Sequence, residues 1–381
     1  MKLILPNQWT EIISGANLLA TGGGGTIKAS LPIIKKIRQP TRLVSLSELK
    51  PDDLICTVFG VGGKQNCDSV VASRNAFAIF QQILKQPVAA MIPVEAGPMA
   101  FANTAFIADK LKIPLLDSDI VGMRSSPEVF LETITIPGLK RTPCVVADDK
   151  GKYLIIRSSK NPEELEKKLR DFAISVGGDA FVAGYPLKVE MVKGIVPENS
   201  ITLSMQTGKT LQKLQIGKTD LNRFCKATGW SLLGRGEIIE VKKGPSKGFS
   251  EGKYVIRPIE NNANSAVVIL GSLGASRTTP ESDSGQVRMT DSAKLVNNLT
   301  IIFKNENLVF LRNGKVVLTC PDSISLLDLG TFEAINNFES NNGKRVAILG
   351  RKSIPIWRTR KGKKLFSPKK IGLDFKQKLL I

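Results

Sequence analysis

The chain has 381 residues, a mass of 41.4 kDa and a hydrophobic content of 42%. These values exclude an intrinsically disordered protein and allow a full core, most simply in two domains. No apolar run approaches the ~20 residues of a membrane helix. The opening segment, residues 1–11, is too short and too soon polar for a secretory signal. We therefore expect a cytoplasmic protein with no membrane partner.

The sequence contains no histidine and five scattered cysteines. Without histidine, acid–base chemistry must use carboxylates or the side chains of cysteine, lysine and tyrosine. An odd number of cysteines without CxxC spacing favours reduced thiols over a disulfide framework or a zinc site. We expect no cofactor and no tightly bound metal. An ion would need oxygen ligands, for which Glu95, Asp117 and Asp119 are the candidates.

The net charge of +20 is concentrated in the second half of the chain. Residues 1–150 hold 16 basic and 13 acidic residues, whereas the remainder holds 38 and 21. A nucleic-acid or anionic-surface binder is one interpretation, and a soluble enzyme with a lysine-rich surface is the other. We favour the enzyme and expect no nucleic-acid partner, because aromatic and basic residues do not alternate as in single-strand binders.

Hydrophobic residues recur at helical spacing over residues 9–19 and 27–37, which predicts two helices separated by the glycine run Gly22–Gly25. The glycines can place backbone N–H groups around an anion at the start of the second helix, or can form a turn where backbones pack closely. The run is neither a P-loop nor a dinucleotide fingerprint, because no Gly-Lys-Ser/Thr follows it and no strand precedes it. The two alternatives stay open.

Apolar runs typical of buried strands alternate with helical patterns over residues 54–116, which predicts a parallel sheet covered by helices. Each predicted strand ends in glycine or acidic residues. Because the carboxyl ends of parallel strands meet at one edge of a sheet, we expect a site there. The predicted strands are 54–59, 88–94 and 115–116, the helices are 70–84 and 99–111, and the convergent loops are 60–63, 95–97 and 117–119.

The rest of the chain divides into an α/β part and a β-rich part. Strands at 134–147 and 153–156, a helix from Asn161 to about Val176 and a helix near 200–214 complete an α/β domain of residues 1–212 with a mostly parallel sheet. Short apolar runs separated by turns such as Asn313-Gly314 then predict a mostly antiparallel β-rich domain, residues 213–381. Its predicted strands are 232–241, 253–256, 266–270, 299–303, 308–311, 316–319 and 346–349, with a polar inserted loop at 272–291.

Four charged residues near the predicted strand ends are candidate catalytic groups. Glu95 follows a buried strand and is the better candidate for a general base, because burial raises the pKa of a carboxyl group. Asp117 and Asp119 can share a pocket, although capping a helix or turn is the structural alternative. Arg124 can clamp a carbonyl or carboxylate group, or can pair with Glu128 four residues later.

Seven stretches follow one another in an order that matches a known family. They are LATGGGG (19–25), E-x-G (95–97), LLDSD with G-x-R and P-E (115–128), KGFSEG (247–252), FKNENL (303–308), PDSISLLD (321–328) and IWRT (356–359). Together they resemble the S-methyl-thiohydantoin desulfurase-like family, whose members often accompany hydantoinase and oxoprolinase genes. The resemblance covers nearly the whole chain and implies an α/β domain followed by a β-rich domain. The chain departs from the family pattern at Thr26, Pro98, Ala100 and Ile120, which leaves a divergent substrate or lost catalysis as alternatives.

The resemblance implies an enzyme, or an enzyme-derived protein, that hydrolyses a C–S or C–N bond of a hydantoin-like or thiohydantoin-like cyclic amide. Glu95 or Asp119 would activate water, and Arg124 with the N–H groups of Gly23–Gly25 would stabilise the oxyanion. The candidate substrate-binding residues are Gly23, Gly24, Gly25, Asn305 and Glu306, although for the last two a structural turn is the default interpretation. The alternatives are an accessory subunit of a hydantoinase- or oxoprolinase-type enzyme and a basic nucleic-acid or anionic-surface binder. We also expect a homo-oligomer.

Overall fold

The computed structural model describes residues 2–62, 66–244, 250–259, 298–339 and 341–381. The segments 266–270 and 272–291, interpreted above as a strand and an inserted loop, lie outside these residues. Helices and strands alternate through the first half of the chain, and strands dominate the second.

The helices are α1 (Trp9–Leu19), α2 (Ile27–Ile34), α3 (Ser69–Ile83), α4 (Pro98–Leu111), α5 (Pro162–Ser175), α6 (Val189–Val192), α7 (Ser200–Gln215), α8 (Leu221–Thr228), α9 (Pro355–Arg358) and α10 (Arg360–Leu365). The strands of the first half are β1 (Lys2–Ile4), β2 (Thr41–Val44), β3 (Leu54–Gly62), β4 (Val88–Met91), β5 (Leu115–Leu116), β6 (Cys144–Ala147), β7 (Tyr153–Ile156) and β8 (Asp179–Lys188). Those of the second half are β9 (Ser231–Lys243), β10 (Glu251–Pro258), β11 (Leu299–Lys304), β12 (Glu306–Arg312), β13 (Lys315–Thr319), β14 (Ser323–Asp328) and β15 (Arg345–Arg351).

Strands β1 to β8 form a mixed sheet, sheet A, in the order β1-β2-β5-β4-β3-β8-β6-β7. The four strands β2, β5, β4 and β3 run parallel, and their neighbours on both sides are antiparallel. Successive residues of β3 alternate between two cores, with Cys56 and Val58 in one and Ile55 and Phe59 in the other. Both faces of the sheet are therefore covered, and the four parallel strands end at the same edge.

Strands β9 to β15 form sheet B, in the order β13-β12-β11-β10-β9-β15-β14, and every pairing is antiparallel. The sheet curls so that β14 returns beside β12, where Asn307 Nδ2 donates to the Ile324 carbonyl at 3.1 Å. Large apolar and aromatic side chains such as Tyr254, Phe303 and Phe310 fill its interior. Sheets A and B together confirm the fold class predicted from the sequence.

The end of α1 and the glycine run join the two sheets. Ser325 of β14 donates to the Leu18 carbonyl at 2.7 Å, and the backbone N–H of Asn307 donates to the Thr21 carbonyl at 2.7 Å. Asn337 N–H donates to the Gly22 carbonyl at 2.8 Å. The glycine run is thus held against sheet B at a fixed position, which places it at the boundary between the two halves of the protein.

Most predicted elements exist, and the exceptions have physical causes. The helix expected from Asn161 is confirmed, with the Asn161 side chain accepting from Glu164 N–H at 2.7 Å. The strand predicted over 134–147 is wrong before Cys144, because Pro137 and Gly138 interrupt the extended pattern and a 3₁₀ turn forms over Thr133–Thr135 instead. Strands β1, β2, β8 and β14 and helices α6, α8, α9 and α10 were not predicted. The domain boundary at residue 212 falls inside α7 and stays a prediction.

Helices α1 and α7 approach each other unusually closely because each has a glycine at the contact. A Cβ atom at Gly15 would lie 1.8 Å from the Ser204 carbonyl oxygen, and one at Gly208 would lie 1.8 Å from the Glu11 carbonyl oxygen. Both distances are far below van der Waals contact, so this packing requires glycine at the two positions.

We expect Gly208→Ala to destabilise the protein by at least ~1–3 kcal/mol, because the helices must separate to admit the methyl group. Urea unfolding of wild type and variant measures the difference. The matched control is Gln206→Ala on the exposed face of the same helix, which should change the free energy of unfolding by less than ~0.5 kcal/mol. Equal effects of the two substitutions would refute the close contact.

Candidate active site

A cavity of about 490 Å³ lies at the carboxyl edge of the parallel strands of sheet A. The loops after β3 and β4, the glycine run and the turn between β11 and β12 contribute to its lining. Ligand sites of α/β proteins occur at this edge, and the volume suits a small molecule. Of the predicted site residues, the lining includes Gly24, Gly25, Glu95, Asn305 and Glu306. It does not include Gly23, Asp117, Asp119 or Arg124.

The glycine run packs against side chains from both halves of the protein. A Cβ atom at Gly22 would lie 2.5 Å from Asn337 Nδ2, and one at Gly23 would lie 2.0 Å from Glu306 Oε1. At Gly25 it would lie 2.2 Å from Met99 Cγ. The run is therefore a turn of close backbone approach, one of the two alternatives drawn from the sequence. Gly23 N–H donates to the Ala20 carbonyl at 3.0 Å.

Glu95 lies just beyond β4 and is partly exposed in the cavity wall. Its Oε2 atom accepts a hydrogen bond from Ser126 N–H at 3.1 Å. Burial raises the pKa of Glu95 to about 7; the hydrogen bond from Ser126 opposes the shift, and the negative charge of Asp119 adds to it. A carboxyl group with this pKa exchanges a proton near neutral pH, which suits a general base in a protein without histidine.

Glu306 is the first residue of β12 and is only 2% exposed. Its Oε2 atom is buried and has no hydrogen-bond partner among the described residues. Burial raises the pKa of Glu306 well above its ordinary value; the negative charge of Glu95 adds to this, and the positive charge of Arg124 opposes it. Glu306 therefore keeps its proton more strongly than Glu95 does. Two carboxyl groups with such different pKa values can divide the roles of acid and base.

Arg124 is buried beside these carboxyl groups but points toward the second half of the protein. Its Nε donates to the Ser125 carbonyl at 2.9 Å, and its Nη1 donates to the Pro321 carbonyl at 2.5 Å. The guanidinium group lies 4.6 Å from the centre of the Phe366 ring, a distance typical of a cation–π contact. These contacts tie the loop after β5 to the second half and place a positive charge behind Glu306.

Asp117 and Asp119 hold backbone groups outside the cavity lining. Asp117 Oδ1 accepts from the N–H groups of Ile201 and Thr202 at 2.9 and 3.0 Å, and so caps the first turn of α7. Asp119 accepts from Gly122 N–H at 2.5 Å, from Met123 N–H at 2.8 Å and from the Ser200 hydroxyl at 2.6 Å. Burial raises the pKa of Asp119 to about 6, while these hydrogen bonds oppose the rise.

The cavity is lined by seven acidic side chains, called here the cavity acids, and by two basic ones. Glu166 of α5 forms an ion pair with Arg170 at 2.7 Å and accepts from Val129 N–H at 2.9 Å. Burial and the charge of Glu128 raise the pKa of Glu166 to about 7. The cavity acids are Asp68, Glu95, Glu128, Glu132, Glu166, Asp179 and Glu306, and the basic residues are Lys36 and Arg170.

Several of these residues were not predicted as part of the site. Glu166 follows Leu165 and precedes Leu169, both buried, so its position on the inner side of α5 was visible in the helical pattern. Glu132 gave no such signal, because it joins a buried network with Arg141 and Tyr185 that distant segments assemble. The turn expected at Asn305 exists, with φ of 56° and Oδ1 accepting from Ser250 N–H at 2.8 Å.

The described ranges contain no group of three or more cysteine, aspartate or glutamate side chains that could hold a metal ion. In the same part of the chain, no helix combines the length and apolarity needed to cross a bilayer.

Comparison with protein-family models gives two matches that together span the chain. The model of the S-Me-THD-like N-terminal domain matches residues 7–158, and that of the S-Me-THD-like C-terminal domain matches residues 160–380. The chain belongs to the S-Me-THD-like family. No curated protein matches it.

A solved structure shares the fold of this S-Me-THD-like protein. The X-ray crystal structure of a protein from Chromobacterium violaceum is 17% identical in sequence and superposes with a TM-score of 0.75. The match covers 98% of each chain. At this identity the likeness shows a common arrangement of both halves and nothing about activity.

The raised pKa of Glu95 predicts how the stability of this S-Me-THD-like protein depends on pH. The folded state prefers the protonated carboxyl group, so its contribution is fully present below pH ~4.5 and is lost as pH rises through about 7. We expect Glu95→Gln to be more stable than wild type by ~1–3 kcal/mol at pH 8, with the difference shrinking toward pH 5. Denaturant unfolding across this pH range measures it. The exposed control Glu198→Gln should change the free energy of unfolding by less than ~0.5 kcal/mol. A Glu95→Gln difference that does not change with pH would contradict the assignment.

The contact between Gly23 and Glu306 predicts a coupling between the two residues. We expect Gly23→Ala to destabilise the protein by ~1–3 kcal/mol, because its methyl group would displace the Glu306 carboxyl group. In a Glu306→Ala background most of this loss should disappear, and a double-mutant cycle from denaturant unfolding measures the coupling. Gly22→Ala, which would meet Asn337, should not be relieved by Glu306→Ala. Additive effects of Gly23→Ala and Glu306→Ala would show that the contact is absent.

Proposed function

We propose that this protein hydrolyses a small cyclic amide of the hydantoin or thiohydantoin type at a C–S or C–N bond, with Glu95 and Glu306 as the reacting carboxyl groups. The observation that carries the proposal is that both border one cavity, with pKa values raised to different extents. The reaction type comes from the family, whose models match both halves of the chain.

In the proposed reaction, ionised Glu95 accepts a proton from a water molecule as the water oxygen bonds to the ring carbon. The pKa of about 7 leaves a large ionised fraction at neutral pH while keeping the group basic enough to take that proton. The C–S or C–N bond then breaks, and protonated Glu306 supplies a proton to the leaving sulfur or nitrogen atom. The proton balance closes when Glu95 releases its proton to solvent and Glu306 regains one.

The glycine run supports the developing negative charge in this proposal. Gly24 and Gly25 line the cavity, and their N–H groups donate to no other described residue. Backbone N–H groups free to point at a carbonyl oxygen are the usual donors of an oxyanion hole. Gly23 would act by its position alone, because its N–H is already bonded to Ala20.

Asp117, Asp119 and Arg124 are positioning residues in this proposal, in contrast to the catalytic roles expected from the sequence. Asp119 holds the turn at Gly122 and Met123 through hydrogen bonds to both N–H groups. Arg124 donates to the backbone carbonyl of Ser125, the residue before the one that binds Glu95. Their substitution would disturb Glu95 and Glu306 indirectly.

The proposal is tested by measuring the turnover of hydantoin, an S-methyl-thiohydantoin and 5-oxoproline. The loss of ring absorbance and the release of thiol report the reaction. We expect Glu95→Gln to lower kcat/KM by ~10²–10⁴-fold, the usual contribution of a general base, with the fold retained. Glu198→Gln makes the same chemical change at an exposed position and should leave kcat/KM unchanged. If wild type neither binds nor converts any of the three compounds, the proposal fails. Activity that appears only with an added ATP-dependent hydrolase subunit would favour the accessory-subunit alternative.

A further inference from the structure

The sign of charge in the cavity is opposite to that of the whole protein. The net charge is +20, yet the lining has seven acidic side chains and two basic ones. A cavity whose wall carries one sign of charge concentrates ligands of the other sign, and low-dielectric surroundings strengthen the effect. The acidic cavity should therefore attract positively charged ligands, unlike the basic outer surface.

Lysine and arginine side chains of the protein neutralise part of this negative charge by forming ion pairs. Glu128 pairs with Lys304 at 2.5 Å, Glu132 with Arg141 at 2.6 Å, and Glu166 with Arg170 at 2.7 Å. These pairs place a cation beside three of the seven cavity acids; Glu95 and Glu306, at the proposed reaction centre, are two of the other four.

Glu95 and Glu306 have no such partner. Within the described residues, neither carboxyl group forms an ion pair with a lysine or arginine. Arg124 lies behind Glu306, but its Nε and Nη1 donate to backbone carbonyl groups. Glu306 borders the cavity, and its buried Oε2 atom has no hydrogen-bond partner in the same part of the chain. A buried oxygen of this kind is normally satisfied by a ligand, an ion or water.

We propose that the cavity selects cyclic amides that carry a positive charge, as an amino or guanidinium group on the ring or its side chain, over neutral and anionic ones. The inference rests on the proposed function, to which it adds the substrate class. An ammonium or guanidinium group brings N–H donors to the carboxyl oxygens of Glu95 and Glu306, and its charge lies beside the ionised carboxylate of Glu95. A ring with a carboxylate, such as 5-oxoproline, places a like charge beside Glu95 and is disfavoured.

Three hydantoins of nearly equal size test the charge preference directly. Their side chains at C5 are 4-aminobutyl, pentyl and 4-carboxybutyl, and isothermal titration calorimetry at pH 8 and low salt gives the dissociation constants. We expect the aminobutyl compound to bind at least ~10-fold more tightly than the pentyl compound, and the carboxybutyl compound more weakly than either. Where a compound is hydrolysed, the ratio of kcat/KM values replaces the ratio of dissociation constants.

Substitutions of Glu95 and Glu306 test whether these carboxyl groups cause the preference for a positively charged ligand. Glu95→Gln should reduce the ratio of pentyl to aminobutyl dissociation constants by at least ~3-fold, whereas Glu306→Gln, which replaces a protonated carboxyl group by a neutral amide, should reduce it less, with circular dichroism confirming that both variants fold. Glu198→Gln, exposed and outside the cavity, should leave the ratio unchanged. A ratio that no cavity variant alters would overturn the inference.

The outcomes separate this inference from the proposed function. Equal binding of the three hydantoins, or tightest binding of the carboxybutyl compound, would overturn the charge preference and leave the cyclic-amide proposal intact. If neither these hydantoins nor the three compounds that test the proposed function bind, butylamine and butylguanidine are compared with butyrate by thermal shift at pH 8. Stabilisation by the two cations alone, lost in Glu95→Gln, would support a cation site and reject the cyclic amide. No stabilisation by either cation would overturn both proposals.

Discussion

Close packing of the glycine run against both halves of the protein is the constraint on which the rest of the site depends. A side chain at Gly22 would collide with Asn337, and one at Gly23 would collide with Glu306. The missing side chains let sheet B approach sheet A until Glu306 of β12 lies beside the loop after β4. Water is thereby excluded from Glu306, and this exclusion raises its pKa. Backbone geometry in one turn thus determines the electrostatics of a carboxyl group almost 300 positions away in the sequence.

The two sheets make different contributions to the cavity. Sheet A supplies the edge at which its parallel strands end, and with it Glu95. Sheet B supplies Asn305 and Glu306 from the tight turn between β11 and β12. Neither half contains both unpaired carboxyl groups, so the site exists only when the halves are packed together. The buried hydrogen bonds of Arg124 to the carbonyl groups of Pro321 and Asp322 stabilise that packing from the far side.

The sequence predicted the elements better than it predicted the contacts between them. Hydrophobic periodicity identified α1, α3, α4 and three of the four parallel strands, β3, β4 and β5, because each of these depends on local pattern. It also located the edge at which Glu95 lies. It could not distinguish Asp117 from Glu95, because both follow buried strands. The Asp117 side chain instead accepts a hydrogen bond from the first turn of α7, some 80 residues later. Nothing in the sequence near Asp117 indicates that contact. Glu166 shows the converse, because its position between the buried Leu165 and Leu169 already places it on the inner side of a helix rich in charge.

Because the protein has no histidine, a group that exchanges protons near neutral pH can be a carboxyl group whose pKa is raised by burial. An exposed glutamate, with a pKa near 4.5, is a weak base at neutral pH, whereas Glu95 has a pKa of about 7, close to that of an ordinary histidine. The shift destabilises the folded state at neutral pH, because the ionised carboxyl group is held where water solvates it poorly. Favourable packing elsewhere in the protein must offset this loss, and the close glycine contact between α1 and α7 is one place where the chain packs tightly. A protein that raises the pKa of a carboxyl group by burial must keep the surrounding residues tightly packed. If the packing opened and admitted water, the pKa of Glu95 would return toward its ordinary value.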